Sequence, residues 1–299
     1  MAPSGPLFAK ALGKIFSQQR AGPTILRQSM TPPPPSRAVA LLRLANRRLG
    51  SVAYRASEVC FRAAGVRIPE TLLILRHMRS GSSLLLHLML TNRQISALGE
   101  RNCAYATSND LLRLRAATRF RTGTVFTPIR YVADQINHNR FTPNPDLLAG
   151  PGVRTVFLLR EPRASLASLM ELSRVFYGHS WTVSRAVDYY VTRLQFLAAL
   201  GNGLAGRARP AFVTYEQLIA STAPTLARLQ VFLGLASGFA TQYERQPFTG
   251  RRGDPGTKIS QGRVAGINNH DTYEVPAENL EQVRQAYAHC RRLLEPFVL

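Results

Sequence analysis

The segment Leu72–Leu85, with the sequence LLILRHMRSGSSLL, decides the fold of this chain. An apolar run of strand length is followed by a loop of small residues, and an apolar helical pattern begins directly after it. Gly81 allows the backbone to approach an anion closely, and the helix N-terminus directs free N–H groups and a positive dipole to the same place. Three serines add hydroxyl donors: Ser80, Ser82 and Ser83. The segment therefore predicts a phosphate-binding loop between a strand and a helix, with Arg79 as an added cation.

This loop differs from the Walker A loop of ATP- and GTP-hydrolysing proteins. The GxxxxGK[ST] spacing is absent, and so is its lysine. Nucleotide hydrolysis is therefore disfavoured. An ordinary Gly-Ser turn between a strand and a helix has a similar composition, so the loop alone leaves both interpretations open.

A second segment, Leu158–Ser168, carries a further candidate phosphate site. The charge-free run Thr155–Leu159 is typical of a buried central strand, and Arg160 follows it directly. Ser168 comes about two helical turns later, so both side chains could hold one phosphate from two sides. The alternative interpretation is a salt bridge at the strand end and a serine on a helix surface.

Together these segments resemble the family of sulfotransferases that depend on 3′-phosphoadenosine-5′-phosphosulfate (PAPS). RSGSS at 79–83 is similar to the family's 5′-phosphosulfate loop, and LREPR at 159–163 with Ser168 is similar to its 3′-phosphate motif. FVTYEQL at 212–218, followed by FLGL at 232–235, agrees with the resemblance, and 253–264 resembles the late loop that closes over the nucleotide.

The resemblance implies an α/β fold of the P-loop-like, three-layer kind, with a parallel sheet flanked by helices. It implies that the nucleotide lies across the carboxyl ends of the strands, where open α/β sheets bind ligands. The residues that it assigns to PAPS are Arg79, Ser80, Gly81, Ser82 and Ser83 for the 5′-phosphosulfate, Arg160 and Ser168 for the 3′-phosphate, and Lys258 in the late loop. The implied activity is transfer of a sulfuryl group to a hydroxyl or amine.

Two residues are candidates for the base that takes the acceptor proton. Glu100 follows the predicted strand Ile95–Leu98, and a Gly-Glu pair there resembles the catalytic base of several family branches. Its alternative role is that of an arginine partner. His138 is the rival, because imidazole titrates near neutral pH, and His77 in the phosphosulfate loop is a weaker alternative of the same kind. Arg79 is expected to stabilise charge on the transferred group.

One position departs from the family pattern. Where those branches carry a lysine in an Asp-Lys context, this chain has Gln135 after Asp134. A glutamine can donate a hydrogen bond to a sulfate oxygen, but it supplies neither charge nor a proton to the leaving group. Lys258 or His138 could compensate.

The rest of the chain continues the alternation of strands and helices that is typical of a parallel sheet. Strands are predicted at Leu72–Leu75, Ile95–Leu98, Tyr131–Ala133, Thr155–Leu159 and Ala211–Thr214. Helices are predicted at Ser82–Thr91, Ser108–Arg119 with Ser108 as the cap, Arg163–Arg174, Thr182–Leu200, Ala223–Leu233 and Ala277–Leu294.

The N-terminal part has a different composition, so we predict an extension at 1–64 and a sulfotransferase domain at 65–299. No acidic residue precedes Glu58, while basic residues are frequent, and a polyproline linker lies at Thr31–Ser36. Three interpretations of the extension stay open: an amphipathic surface for anionic lipid, a helix packed on the domain, and a transit peptide.

The formal net charge of +21 favours anionic partners without choosing among them. The alternative function is a basic protein that binds membrane or nucleic acid and has a non-catalytic nucleotide site. It leaves the two phosphate motifs unexplained, and aromatic residues are not interleaved with the basic ones, so nucleic acid is not expected. The acceptor stays open, with a glycan or a lipid-linked molecule favoured.

Cysteine use and hydropathy bear on location and metal content. The three cysteines are far apart and form no CxxC pair, which predicts reduced thiols, a cytoplasmic location and no metal site. Polar residues interrupt every apolar run before it reaches membrane-spanning length. We expect at most a peripheral contact with an anionic membrane.

Overall fold

The computed structural model describes residues 59, 65, 67–177, 181–208, 210–250, 259–266 and 275–299, with the backbone alone at 175–177. Five strands form its centre: β1 (Glu70–Arg76), β2 (Ile95–Ala97), β3 (Tyr131–Ile136), β4 (Val153–Leu159) and β5 (Ala211–Thr214). Within the described residues they make one all-parallel sheet in the order β2-β3-β1-β4-β5. The predicted α/β class with a parallel sheet is confirmed.

In the described part of the chain, at least one helix follows each strand, with two after β4 and three after β5. The helices are α1 (Ser82–Met89), α2 (Ser108–Arg121), α3 (Pro145–Ala149), α4 (Pro162–Tyr177), α5 (Val183–Leu204), α6 (Tyr215–Ala220), α7 (Thr222–Leu233) and α8 (Ala277–Leu294), with 3-10 turns at Ile259–Gln261 and Glu295–Phe297. No helix among these residues is both long enough and apolar enough to cross a bilayer.

The predicted elements are present, with different ends. β3 and β4 are longer than predicted, because Asp134, Gln135 and Arg154 are polar strand residues that the apolar pattern excluded. The short helices α3 and α6 were not predicted. The prediction of Ser108 as a cap was wrong: the capping residue of α2 is Thr107, whose backbone N–H donates to Asp110 Oδ2 at 2.9 Å.

The position of β1 in the middle of the sheet explains its apolar sequence. Leu72–Leu75 are fully buried, because a central parallel strand is covered on both faces. Leu72 and Ile74 pack in one core cluster with side chains from α1 and α7, while α4, α5 and α8 pack against one another. The carboxyl ends of β1, β3 and β4 lie side by side, and the loops that follow them carry the candidate site.

Two predictions fall outside this part of the chain. The proposed extension 1–64 is undescribed apart from residue 59, and Lys258 lies in an undescribed stretch. The domain boundary and the role of Lys258 stay predictions.

Candidate active site

The loop between β1 and α1 has the backbone of an anion-binding turn. Arg79 and Gly81 both have left-handed dihedrals, with φ of 63° and 84°, and Gly81 caps α1. A Cβ at Gly81 would lie 2.2 Å from Cδ2 of Tyr215. Glycine is therefore required here by conformation and by space.

We expect Gly81→Ala to destabilise the domain more than Gly123→Ala. Gly123 has a similar φ of 68°, but no atom of the described residues lies within 4 Å of its missing Cβ, so its substitution carries only the conformational cost of about 1–2 kcal/mol. Gly81→Ala must also displace the Tyr215 ring, which adds about 1–3 kcal/mol. Denaturant unfolding of both variants measures the difference. Equal losses would show that the Tyr215 ring moves aside freely.

The serines of the loop are placed differently. Ser80 is fully buried, and within the described residues its hydroxyl has no hydrogen-bond partner. Ser82 is buried in the first turn of α1, while Ser83 is half-buried and its carbonyl accepts from His87 Nδ1 at 2.7 Å. A buried hydroxyl without a partner is costly unless a ligand or water satisfies it. Ser80 is therefore the serine whose environment best fits a ligand oxygen.

The two predicted phosphate motifs meet in space. Arg79 Nε donates to Ser168 Oγ at 2.8 Å, although the residues are 89 positions apart, and Arg160 Nη1 donates to the Arg79 carbonyl at 3.2 Å. Ser168 is buried on the first half of α4. The structure thus brings Arg79, Arg160 and Ser168 together, as one site requires.

Arg160 is held in place by the residue that also crowds Gly81. Its guanidinium carbon lies 4.4 Å from the centroid of the Tyr215 ring, a cation–π geometry. The side chain is buried, its Nε lacks a partner among the described residues, and burial lowers its pKa. Tyr215 thereby links the phosphosulfate loop to the Arg160 site.

His77 supports the loop and is not a base. Its Nδ1 donates to the Met78 carbonyl at 2.8 Å, and its Nε2 accepts from the Arg160 backbone N–H at 3.0 Å. Both ring nitrogens are thus used by the neutral form. Burial lowers the pKa of His77 to about 3, so the ring stays neutral at physiological pH.

Glu100 is paired with an arginine beside the loop. Arg76 Nη2 lies 2.8 Å from Glu100 Oε2, and both side chains are almost buried, with exposed fractions of 5% and 10%. The arginine-partner role that the sequence left open is therefore observed. The contact places the Glu100 carboxylate, which follows β2, beside the carboxyl end of β1 and is compatible with a second role as proton acceptor.

The rival base, His138, is half-buried after β3. Its ring makes edge contacts with Phe141 and Tyr189. Burial and the Arg140 guanidinium lower its pKa to about 4, whereas the Glu100 carboxylate opposes that shift. The imidazole is therefore neutral at physiological pH, and basicity does not separate it from a carboxylate. Glu100 is preferred because it is held by Arg76 beside the phosphosulfate loop.

Gln135 lies on β3 itself, paired with Ile74 of β1. The side chain is buried, and its Oε1 has no partner among the described residues. Its neighbour Asp134 accepts from the Arg101 backbone N–H at 3.0 Å and from the Tyr105 hydroxyl, and burial raises the pKa of Asp134 to about 7. Asp134 thus fastens the loop that begins at Glu100.

Helix α5 contributes three site residues that the sequence did not single out. Tyr189 OH accepts from the Met78 N–H and donates to the Asn137 carbonyl, both at 2.7 Å. Tyr190 OH donates to the Arg160 carbonyl at 2.7 Å, and Arg193 is fully buried between β1 and β3. One signal was present: Arg193 occupies the buried stripe of α5, at helical spacing from Ala186, Tyr190 and Leu197.

Comparisons with known proteins concern the fold. No family model and no curated protein matches the sequence. Three similar solved structures are sulfotransferases. The sulfotransferase domain from the curacin biosynthetic pathway is 15% identical, and the match covers 77% of this chain and 98% of that chain with a TM-score of 0.40. Mouse SULT7A1 complexed with PAP is 10% identical, with 76% of this chain and 86% of that chain covered and a TM-score of 0.45. A sulfotransferase from Alicyclobacillus acidocaldarius is 12% identical, with 77% of this chain and 97% of that chain covered and a TM-score of 0.46.

Metal ligands are not grouped in the described part of the chain. No cluster of three or more His, Cys, Asp or Glu side chains there could hold a metal ion. Among the described residues, the cations named at the site are guanidinium groups, those of Arg76, Arg79, Arg160 and Arg193.

Proposed function

We propose that the chain is a sulfotransferase that moves a sulfuryl group from PAPS to a hydroxyl or amine. The observation that carries the proposal is the contact of Arg79 with Ser168 and Arg160, which joins two motifs 89 residues apart. If the loop after β1 were an ordinary turn and Ser168 an ordinary helix-surface serine, nothing would require Arg79 and Ser168 to form a hydrogen bond.

The residues around the loop fit an anion with two phosphate ends. Ser80, whose buried hydroxyl has no partner in the described part of the chain, and the left-handed turn at Gly81 would hold the 5′-phosphosulfate. Arg160 and Ser168 would hold the 3′-phosphate, and the Nε of Arg160, to which no described residue is hydrogen-bonded, supports that role. PAPS supplies the sulfuryl group and a bisphosphate that can leave.

The chemical part of the proposal assigns one proton acceptor. Glu100 takes the proton of the acceptor hydroxyl, and its ion pair with Arg76 fixes the direction of the carboxylate. Arg79 and the N–H groups of the loop stabilise the charge that develops on the transferred group. Gln135 donates a hydrogen bond from its side-chain amide without adding charge. A glycan or a lipid-linked hydroxyl is the acceptor class that we propose to screen first.

The cofactor is tested by a comparison of nucleotides. We expect adenosine 3′,5′-bisphosphate to bind at least about tenfold more tightly than AMP or ADP, because charge-assisted hydrogen bonds to the 3′-phosphate contribute about 1.5–3 kcal/mol. Titration calorimetry of the full chain measures all three. Equal affinity for AMP would remove the 3′-phosphate site and with it the assignment of PAPS.

A further inference from the structure

One side chain bridges β1 and β3 at the carboxyl end of the sheet, where the two strands separate. The last paired residues of the two strands are Leu75 and Ile136, after which the strands lead into different loops. Arg193 of α5 lies at this point. Its Nε donates to the Arg76 carbonyl at 2.8 Å and its Nη2 to the Ile136 carbonyl at 2.6 Å. The guanidinium therefore takes the place of the missing ladder bonds at the carboxyl end of the sheet.

The same guanidinium also reaches the loop after β3. Its Nη1 donates to Asn139 Oδ1 at 2.9 Å, and Asn139 Nδ2 donates to the Thr192 carbonyl of α5 at 3.2 Å. Three groups of one planar side chain thus hold the end of β1, the end of β3 and the segment after β3. A lysine cannot reproduce this, because its donors do not spread in a fork.

Burial makes this arrangement expensive. Arg193 is fully buried, and the three acceptors named above are neutral oxygens. A buried cation without an opposite charge is unfavourable, and burial lowers the pKa of Arg193 to about 10, where it remains charged at pH 7. A neutral donor could bind the carbonyls at lower electrostatic cost. Stability alone is therefore a poor reason for this residue.

The contacts of Arg193 lead directly to the candidate base. Arg76 accepts from Arg193 through its carbonyl and pairs with Glu100 through its guanidinium. One turn earlier on α5, Tyr189 bridges the Met78 N–H of the phosphosulfate loop and the Asn137 carbonyl. Tyr189 and Arg193 of α5 therefore hold both the segment after β1 and the segment after β3.

We propose that Arg193 is a positioning residue of the transferase site, which sets the place of Glu100 through Arg76 and holds the loop after β3 beside it. The proposal rests on the proposed function. The hydrogen bonds of Arg193 go to Arg76, Ile136 and Asn139, and none goes to a described residue that is assigned to the substrate. Its effect on transfer passes through Glu100, and this route distinguishes positioning from a general contribution to stability.

A double-mutant cycle tests the route. Arg193→Lys is expected to lower kcat by about tenfold, because displacement of a catalytic group by a fraction of an ångström has effects of this size. Affinity for adenosine 3′,5′-bisphosphate should stay within about twofold, since the predicted phosphate ligands are untouched. The double variant with Arg193→Lys and Glu100→Gln should have a kcat within about twofold of that of Glu100→Gln alone. The reason is that the carboxylate that Arg193 positions is already lost.

Arg119 supplies the matched control. It is also an almost fully buried arginine, but it donates to the Thr127 carbonyl before β3 begins, at the other end of the sheet. Arg119→Lys should lower the stability and leave kcat and the cycle unchanged. If Arg193→Lys fails to fold, Asn139→Ala is the substitute, because it removes one of the three acceptors of Arg193. It should lower kcat by less than Arg193→Lys would, and it should cause no further loss when it is combined with Glu100→Gln.

The possible outcomes separate the two proposals. Multiplicative losses in an active enzyme, or an unchanged kcat in the Arg193 and Asn139 variants, would overturn the positioning role and leave the sulfotransferase assignment intact. Failure of the wild-type chain to bind adenosine 3′,5′-bisphosphate and to transfer sulfate from PAPS would overturn the assignment, and the positioning role with it.

Discussion

Glu100→Gln is expected to lower turnover by about 10² or more and to leave the affinity for adenosine 3′,5′-bisphosphate nearly unchanged. Glutamine keeps the shape of the side chain but cannot accept the acceptor proton. The carboxylate lies beside the phosphosulfate loop through its 2.8 Å contact with Arg76. Turnover is measured as transfer from labelled PAPS to an acceptor found by screening glycan and lipid-linked hydroxyls first, then alicyclic and phenol hydroxyls.

Loss of an ion pair must be separated from loss of a base. Glu70 supplies the control, because it is also a carboxylate near an arginine, 3.9 Å from Arg130, at the opposite end of β1. Glu70→Gln should leave turnover unchanged. If Glu100→Gln keeps near-wild-type turnover, the base is His138, and His138→Ala should then abolish transfer.

Arg160→Ala is expected to weaken the binding of adenosine 3′,5′-bisphosphate by about 2 kcal/mol or more, roughly 30-fold, because a charge-assisted contact to the 3′-phosphate is lost. Affinity for AMP should change far less, so the preference for the 3′-phosphate should nearly disappear. Calorimetric titration of both nucleotides against the wild type and the variant measures this change.

The neighbouring Arg163 provides the comparison for general electrostatic attraction. It is exposed at the start of α4, three residues after Arg160, and carries the same charge. Arg163→Ala should reduce the affinity for both nucleotides only slightly, by a screened long-range effect. Equal losses in the two variants would mean that the net charge of +21, rather than a built site, attracts the nucleotide.

The first part of the late loop, with Lys258, and nearly all of the N-terminal extension are not described. Lys258 and residues 1–58 lie outside the described residues, so the contribution of Lys258 to the nucleotide site and the membrane, packing or transit role of the extension remain predictions. The metal-free mechanism and the cytoplasmic location are likewise predictions from composition.

The phosphate-binding loop, the central strand and the alternation of elements could be predicted from local sequence. A buried parallel strand needs a continuous apolar run, so the residue types of Leu72–Leu75 suffice to predict a central strand. A turn with φ of 84° favours a glycine, so Gly81 indicates the turn. Arg160 and Ser168 could also be predicted as phosphate ligands from local sequence, because each lies at a short, fixed distance from the end of the strand Thr155–Leu159. These features depend on neighbours within a few residues.

The partners of Glu100, Arg79 and Arg193 were decided by tertiary structure only. Arg76 could have been paired with several acids, and the contact of Arg79 with Ser168 spans 89 positions. Arg193 reaches Arg76 and Ile136 across 117 and 57 positions, a choice made by the packing of α5 against the sheet. A charged side chain contacts whatever the fold brings within hydrogen-bond distance, so residue type determines what it can bind, and only the assembled sheet and helices determine what it does bind.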